Sequence, residues 1–156
     1  MENRIAAAEI PGDIETIREL FVEYATWLGE DLCFQGFEAE LAGLPGDYAG
    51  ERGLLLIARS GTEAAGCVAL RPFDAETGEI KRLYVRPAFR GTGLGRTLSL
   101  RVLEGARRAG YRRLVLDTLD RMESAVRLYE RLGFRPIPAY YVNPMKGALY
   151  FELLIR

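Results

Sequence analysis

Three glycines fall within five residues near the middle of the chain, at Gly91, Gly93 and Gly95. Glycine has no Cβ, so these residues allow the backbone to come close to a ligand and to present several N–H groups to it. An apolar face at helical spacing follows at once. It comprises Leu94, Leu98, Val102, Ala106 and Ala109. The sequence therefore predicts an anion-binding loop at a helix N-terminus; the alternative is a turn in which glycine only relieves strain.

The segments on either side of this loop have different patterns. Before it, the sequence predicts a strand, two helices and three strands. Their expected positions are a strand at 5–10, a helix capped by Asp13, a weaker helix through Phe34, Phe37 and Leu41, and strands at 54–59, 64–71 and 79–86. After the loop, helices at 93–109 and 122–132 alternate with strands at 113–117 and 148–155, which predicts parallel pairing. We expect residues 1–156 to form one domain. Its fold class is α/β, with a mixed sheet of parallel and antiparallel strands (α+β).

The composition is typical of a globular protein outside the membrane. The chain has 156 residues, of which 49% are hydrophobic, and a formal net charge of -1. Its apolar runs are far shorter than the roughly 18 residues of a membrane span, and its first residues do not resemble a secretion signal. We therefore expect a cytoplasmic protein that binds no membrane. Cys33 and Cys67 are not spaced as a zinc site or a redox pair, so we expect free thiols.

The chain contains no histidine. Serine–histidine and cysteine–histidine catalytic pairs need an imidazole, and so do most transition-metal sites. These classes of site are therefore excluded, and we expect no metal. Proton transfer must use Asp, Glu, Tyr, Lys, Cys or water.

Charge is distributed unevenly along the chain. Residues 1–80 carry 16 acidic and 5 basic side chains, whereas residues 81–113 carry 10 basic and 1 acidic side chain. The basic stretch should attract an anion. A nucleic-acid groove is not expected, because the isoelectric point is near 5.7 and such grooves are usually strongly basic.

Around the loop, the sequence resembles the GNAT superfamily of N-acetyltransferases. The acetyl-CoA signature of that family is Gln or Arg, two residues, Gly, one residue, then Gly or Ala, and Arg90, Gly93 and Gly95 match it. Segments 83–91 and 124–134 are also similar to family segments. The resemblance covers nearly the whole chain. It implies the order β-α-α-β-β-β-α-β-α-β-β, with a central twisted mixed sheet flanked by helices.

The resemblance also implies which groups bind acetyl-CoA, the co-substrate of the family. Backbone groups of the strand before the loop contact the pantetheine and the acetyl carbonyl, and N–H groups of the loop bind the pyrophosphate. The cofactor-binding residues expected here are Leu83, Tyr84, Val85, Arg90, Gly91, Thr92, Gly93, Leu94, Gly95 and Arg96.

A dinucleotide-binding fold is a competing interpretation of the same loop. Gly91-Thr92-Gly93 begins like the pattern G-x-G-x-x-G, and Asp117 lies near the distance expected of a ribose-binding acid. However, Arg96 occupies the third glycine position. The loop also comes after about half the chain, whereas the dinucleotide loop follows the first strand of its domain.

Acetyl transfer from a thioester to an amine needs a base for the amine and an acid for the departing thiolate. Strand alternation predicts that Glu79, Lys81, Leu83 and Val85 share one side. The resemblance implies that Glu79 is the base; an exposed carboxylate is the alternative. Tyr129 lies on an apolar helix face and matches the general acid of the family, with core packing as its alternative.

The sequence indicates the chemical class of the acceptor less clearly than it indicates acetyl-CoA. Lys81 and Arg82 suit the carboxylate of an amino-acid-like acceptor, whereas the acidic residues 1–80 suit a cationic amine. The loop residues expected to line the acceptor pocket are Tyr140, Tyr141 and Asn143. We expect an enzyme that acetylates a primary amine by direct attack in a ternary complex, and the resemblance leaves a homodimer open. A non-catalytic acetyl-CoA sensor is the alternative of a different class.

Overall fold

The computed structural model describes residues 3–29, 32 and 36–155. The strands are β1 Asn3–Ala7, β2 Leu54–Ser60, β3 Glu63–Pro72, β4 Thr77–Val85, β5 Arg113–Leu119, β6 Arg135–Ile137 and β7 Ala148–Leu154. The α-helices are α1 Ile14–Leu28, α2 Phe37–Ala42, α3 Leu94–Arg108 and α4 Glu123–Arg131. The predicted order of elements is therefore confirmed.

The described strands form a seven-stranded mixed sheet in the order β1-β2-β3-β4-β5-β7-β6. Strands β4 and β5 are parallel, and each other neighbouring pair is antiparallel. Parallel pairing is thus confirmed across helix α3 but is wrong for the later strands. The reason is that β7 lies between β5 and β6 and runs antiparallel to both.

Helices cover both faces of the sheet, so the central strands are apolar on both sides. Along β2, Leu55 and Ile57 pack with α1, whereas Leu56 and Ala58 pack with α3. The fully buried helical residues include Ile17, Leu20 and Phe21 of α1 and Leu98 and Val102 of α3. Burial on both faces explains why these strands appear in the sequence as continuous apolar runs.

Strand β4 contains a bulge at Arg82. The pairing of β4 with β3 shifts by one residue between the pair Cys67–Tyr84 and the pair Ala69–Lys81. Arg82 has a φ of 61°, a left-handed conformation that is uncommon outside glycine. A bulge of this kind inserts an extra residue into one strand and changes which way the following side chains point.

The bulge reverses the alternation of side chains along β4. Leu83 and Val85 pack in the core on the α3 side of the sheet, as does Ile80. Glu79 and Lys81, the neighbours of Ile80, therefore face the opposite side. The prediction that Glu79, Lys81, Leu83 and Val85 share one side is wrong, because it assumed a regular strand.

Strands β4 and β5 separate after a short paired stretch. Their register runs from Thr77–Arg113 to Glu79–Val115, and both strands continue well beyond this point. Their C-terminal halves therefore diverge and leave a cleft in the sheet. The cleft opens at the same end of the sheet as the N-terminus of α3, because α3 follows β4.

Asp13 precedes α1, as predicted, but its side chain does not cap that helix. Its carboxylate accepts hydrogen bonds from the Glu9 backbone N–H at 2.8 Å and from Arg59 at 2.9 Å. The Glu9 N–H, with help from Arg59, holds the pKa of Asp13 below its usual value. Asp13 therefore connects β1 and β2 to the start of α1.

Cys67 is a buried free thiol, and burial raises its pKa to about 12. Cys33 and Phe34 lie outside the described residues. In the part of the chain that the structure describes, no helix is long and apolar enough to cross a bilayer.

Candidate active site

The glycine loop leads into α3 with unpaired backbone donors. Gly91 and Gly93 have φ values of 80° and 82°, which residues with a side chain rarely adopt. The first backbone hydrogen bond of the helix joins the Thr97 N–H to the Gly93 carbonyl at 3.1 Å. Within the described ranges, the N–H groups of residues 91–96 have no backbone acceptor. Together with the helix dipole, they form a site for an anion.

The polar side chains of this loop contact the protein itself. The Nε of Arg90 donates to the Val85 carbonyl at 2.9 Å, and its guanidinium lies 4.9 Å from the centre of the Trp27 ring. The hydroxyl of Thr92 donates to the Phe89 carbonyl at 2.8 Å. The side chain of Arg90 therefore holds the loop against α1, and the loop presents mainly backbone groups outward.

The cleft between β4 and β5 lies beside the loop, because Trp27 lines it as well as contacting Arg90. Strand β4 contributes Ile80 and Leu83 to its walls. Residues on the other side of the cleft are Asp117 and Leu119 of β5 and Met122, Ala125 and Tyr129 near or on α4. The predicted strand residues and the predicted acid Tyr129 therefore meet at one cleft.

Tyr129 is buried and directed into this cleft. Its ring packs edge-on against Phe134 at 5.7 Å, and also contacts Phe151 at 6.5 Å. Its hydroxyl makes no hydrogen bond with any residue that the structure describes. Burial, together with the charge of Asp117, raises the pKa of Tyr129 well above its usual value. The phenol therefore stays protonated at neutral pH and can donate a proton into the cleft.

Glu79 is almost fully buried, with 5% of its side chain exposed. Its Oε1 accepts a hydrogen bond from Arg71 Nε at 3.0 Å, and its Oε2 accepts one from the Tyr140 hydroxyl at 2.7 Å. The Nζ of Lys81 lies 3.9 Å from Oε2. The alternative of an exposed carboxylate at a strand start is therefore wrong.

Lys81 lies between two buried carboxylates, with 2% of its side chain exposed. Its Nζ is 3.5 Å from Asp117 Oδ1 and 3.9 Å from Glu79 Oε2. Burial lowers the pKa of Lys81, and the two carboxylates oppose that change. Asp117 also accepts hydrogen bonds from the hydroxyl of Tyr141 and from Asn143 Nδ2.

A second opening has a different lining but shares Lys81 with the cleft. This opening, here called the outer depression, has a volume of about 380 Å³ and is lined by Asp47, Arg71, Pro72, Phe73, Glu79, Lys81, Tyr140 and Tyr141. Lys81 lines both the cleft and the outer depression. Of the predicted loop residues, Tyr140 and Tyr141 therefore line the outer depression with Glu79 and Lys81, whereas Asn143 lines the cleft beside Asp117.

The prediction that Arg82 binds the carboxylate of an acceptor is wrong. Arg82 is not presented to an acceptor, because 1% of its side chain is exposed and its guanidinium donates two hydrogen bonds to Glu40 of α2. The bulge turns this side chain toward α2. Lys81 is likewise buried, and Glu79 and Asp117 lie on either side of it.

Sequence reasoning missed the roles of Asp117, Arg71 and Glu40. Asp117 entered it only as a ribose-binding acid in the dinucleotide alternative. A carboxylate inside the apolar strand β5 was nevertheless a usable signal, since buried charges need a partner. Arg71 and Glu40 gave no such signal. Among the described residues, no cluster of acidic or cysteine side chains is arranged to hold a metal.

Comparison with known proteins identifies the family. Residues 14–134 match the sequence profile of the acetyltransferase (GNAT) family. The chain belongs to the GNAT family. An uncharacterised N-acetyltransferase of Schizosaccharomyces pombe is 41% identical over 152 residues, which cover 96% of this chain and 93% of that protein.

Solved structures of GNAT-type acetyltransferases have the same fold. An acetyltransferase from Streptococcus agalactiae aligns with a TM-score of 0.79 over 98% of each chain at 23% identity. The PaiA N-acetyltransferase of Thermoplasma acidophilum, solved with coenzyme A, aligns with a TM-score of 0.77 at 19% identity, covering 99% of this chain and 100% of that chain. The predictions of a GNAT fold, an acyltransferase and an acetyl-CoA co-substrate are confirmed at the level of the family.

Proposed function

We propose that this chain acetylates a primary amine of a small acceptor, and that the amine attacks acetyl-CoA directly in a ternary complex. The proposal is carried by the position of Glu79, Lys81 and Asp117 between two openings. Lys81 and Asp117 line the cleft, which lies beside the glycine loop, whereas Glu79 and Lys81 line the outer depression. A donor in the cleft and an acceptor in the outer depression would thus meet at one polar group.

The chain offers the donor a backbone-lined site. The N–H groups of residues 91–96 suit the pyrophosphate, because they have no backbone acceptor and begin a helix. Leu83 lines the cleft next to the bulge, and the backbone of Leu83, Tyr84 and Val85 lies beyond the last residue of β4 that pairs with β5, so it would suit the amide groups of pantetheine. Acetyl-CoA would then supply the activated acetyl group at the deep end of the cleft.

In this proposal, Glu79 and Tyr129 carry out the two proton transfers. Glu79 receives a proton from the acceptor's ammonium group, so that the neutral amine can attack the thioester carbonyl. As the carbon–sulfur bond breaks, Tyr129 donates its phenolic proton to the departing thiolate, and the nitrogen of the new amide loses its extra proton to solvent. Solvent then returns one proton to Tyr129 and takes up the proton held by Glu79. Lys81 lies between Glu79 and Asp117 and supplies the positive charge that two buried carboxylates need as a partner.

The proposal is tested by ligand stabilisation followed by turnover. At about 100 times its dissociation constant, acetyl-CoA should raise the free energy of unfolding by roughly 2.7 kcal/mol, whereas NAD and ATP should have little effect. Release of the free thiol should then depend on a primary amine. Stabilisation by NAD and not by acetyl-CoA would contradict the assignment of the glycine loop to acetyl-CoA. Tight acetyl-CoA binding without thiol release from any amine would support a sensor.

A further inference from the structure

Arg71 is the partly exposed cation of the outer depression. Its Nε donates to Glu79 Oε1 at 3.0 Å, and 27% of its side chain is exposed. Its two Nη groups make no hydrogen bond with the residues that the structure describes. By contrast, the Nε and Nη2 groups of Arg82 both donate to Glu40. Arg71 therefore retains the donors with which a guanidinium binds a carboxylate.

The charges of the outer depression are ordered by depth. Glu79 and Lys81 lie at the bottom, with 5% and 2% of their side chains exposed, whereas Arg71 lies nearer the surface. Asp47 is an exposed acid at the rim. The two acids and two bases cancel, so the depression has no excess charge to attract a polycation or a polyanion.

From this arrangement we infer that the acceptor is a zwitterion, whose ammonium group is bound at Glu79 and whose carboxylate is bound by the Nη groups of Arg71. The inference rests on the proposed function and specifies its substrate class. Arg71 and Glu79 are adjacent, as are the amino and carboxylate groups of an α-amino acid, so one molecule can contact both. Lys81 cannot take the place of Arg71, because Glu79 and Asp117 enclose it.

The remaining wall of the outer depression is aromatic. The rings of Phe73 and Tyr140 are 5.2 Å apart, and those of Tyr140 and Tyr141 are 5.4 Å apart. Phe73 is 44% exposed, which leaves its face available for contact with a ligand. This wall suits an apolar or aromatic substituent. Amino acids such as phenylalanine, leucine and methionine therefore have the predicted combination of groups.

The test compares each amino acid with the amine that lacks its carboxylate. Thiol release from acetyl-CoA is measured with phenylalanine against phenethylamine, leucine against isoamylamine, and spermidine as a polycation. We expect the parent protein to prefer the amino acid by about tenfold or more in kcat/KM, because a charge-assisted contact is lost in the amine. Arg71→Gln should reduce that preference to about twofold or less.

The ratio between the two acceptors separates binding by Arg71 from its contact with Glu79. A change in the basicity or position of Glu79 would affect both members of a pair equally and would leave the ratio unchanged. Arg113→Gln is the matched control, because Arg113 also donates from Nε to a glutamate, Glu152, at 2.7 Å and is 32% exposed, but does not line the outer depression. This variant should keep the parental preference.

The outcomes distinguish the inference from the proposed function. Turnover of amines and amino acids at similar rates by the parent, or a preference that survives in Arg71→Gln, would overturn the zwitterion inference and leave the acetyltransferase proposal standing. A preference for spermidine would do the same. If acetyl-CoA binds but no primary amine releases the thiol, the proposed function fails, and the inference fails with it.

Discussion

Arg82 and Glu40 form a two-point ion pair that joins the bulge of β4 to the short helix α2. Arg82 Nε is 3.0 Å from Glu40 Oε2, and Nη2 is 2.9 Å from Oε1. The guanidinium is buried and also lies 5.2 Å from the Phe37 ring. Burial by itself lowers the pKa of Arg82, but the hydrogen bonds and the negative charge of Glu40 raise it by more. The pKa is therefore raised, and the guanidinium remains charged. A strained backbone position in the cleft is thus connected to a distant segment.

Removal of the anion from this pair should destabilise the fold. Glu40→Ala leaves a buried guanidinium without its carboxylate, which typically costs about 3–5 kcal/mol. Urea unfolding measures the loss. Glu38→Ala is the matched control on the same helix, because Glu38 is exposed and its loss should change stability by about 0.5 kcal/mol or less. Equal midpoints for the two variants would contradict a structural role for the pair.

Tyr129→Phe separates general acid catalysis from core packing. The ring contacts with Phe134 and Phe151 are kept, and the hydroxyl has no described hydrogen-bond partner, so stability should change little. Loss of a general acid should lower kcat about tenfold or more, with acetyl-CoA affinity nearly unchanged. Tyr111→Phe is the control, because the Tyr111 hydroxyl lies outside the site and donates to the Arg52 carbonyl at 2.6 Å. This variant should lose about 0.5–1.5 kcal/mol of stability but keep the parental kcat.

The same phenol should affect the alkaline behaviour of the enzyme. Burial raises the pKa of Tyr129 above its usual 10, so the folded state holds this proton more tightly than the unfolded state does. Its contribution to stability is therefore complete below about pH 10 and declines as the pH rises toward the folded-state pKa. If Tyr129 is the acid, kcat should also fall only above about pH 10. A parent-like alkaline limb in Tyr129→Phe would assign that limb to another group.

Gly93→Val should abolish most of the stabilisation by acetyl-CoA. Its side chain would stand where the ligand must approach, and the φ of 82° adds strain of about 1–3 kcal/mol to the unliganded protein. The ligand-induced shift must therefore be measured from the unliganded midpoint of each variant. Gly95→Ala is the control, because a Cβ there would lie at ordinary contact distance, 3.9 Å, from Leu128 and Val85. Full stabilisation of the valine variant would show that the loop does not bind the ligand.

Lys81→Met should affect all acceptors alike. It leaves Glu79 and Asp117 buried without the cation between them, and loss of one member of a buried ion pair typically costs about 3–5 kcal/mol. We expect kcat/KM to fall by a similar factor for phenylalanine and phenethylamine. Lys146→Met, at an exposed position, should behave as the parent. A selective loss of the amino acid would mean that Lys81, and not Arg71, binds the carboxylate.

Much of the architecture followed from local sequence patterns. The spacing of apolar residues predicted helices α1, α3 and α4, and the position of Gly91, Gly93 and Gly95 predicted a glycine loop at the start of α3. These features depend on residues within one or two turns of each other. Their physical basis is local, because glycine conformation and helical amphipathicity involve only near neighbours.

The chemistry of the site depended on contacts between distant segments. Local periodicity predicted that Lys81 and Leu83 would share one side of β4, but the bulge at Arg82 placed Leu83 in the core of the opposite face. Lys81 meets Asp117 across diverging strands, and Arg71 meets Glu79 across an antiparallel pair.

The sequence by itself determined the fold family, the order of its elements and the glycine loop. The tertiary structure decided which charged groups are paired, which remain available to a ligand, and which opening each side chain faces. The reason is that a shift of one residue in strand register moves every following side chain to the other face. Such a shift depends on how the neighbouring strands and helices pack, and it cannot be predicted from a local sequence pattern.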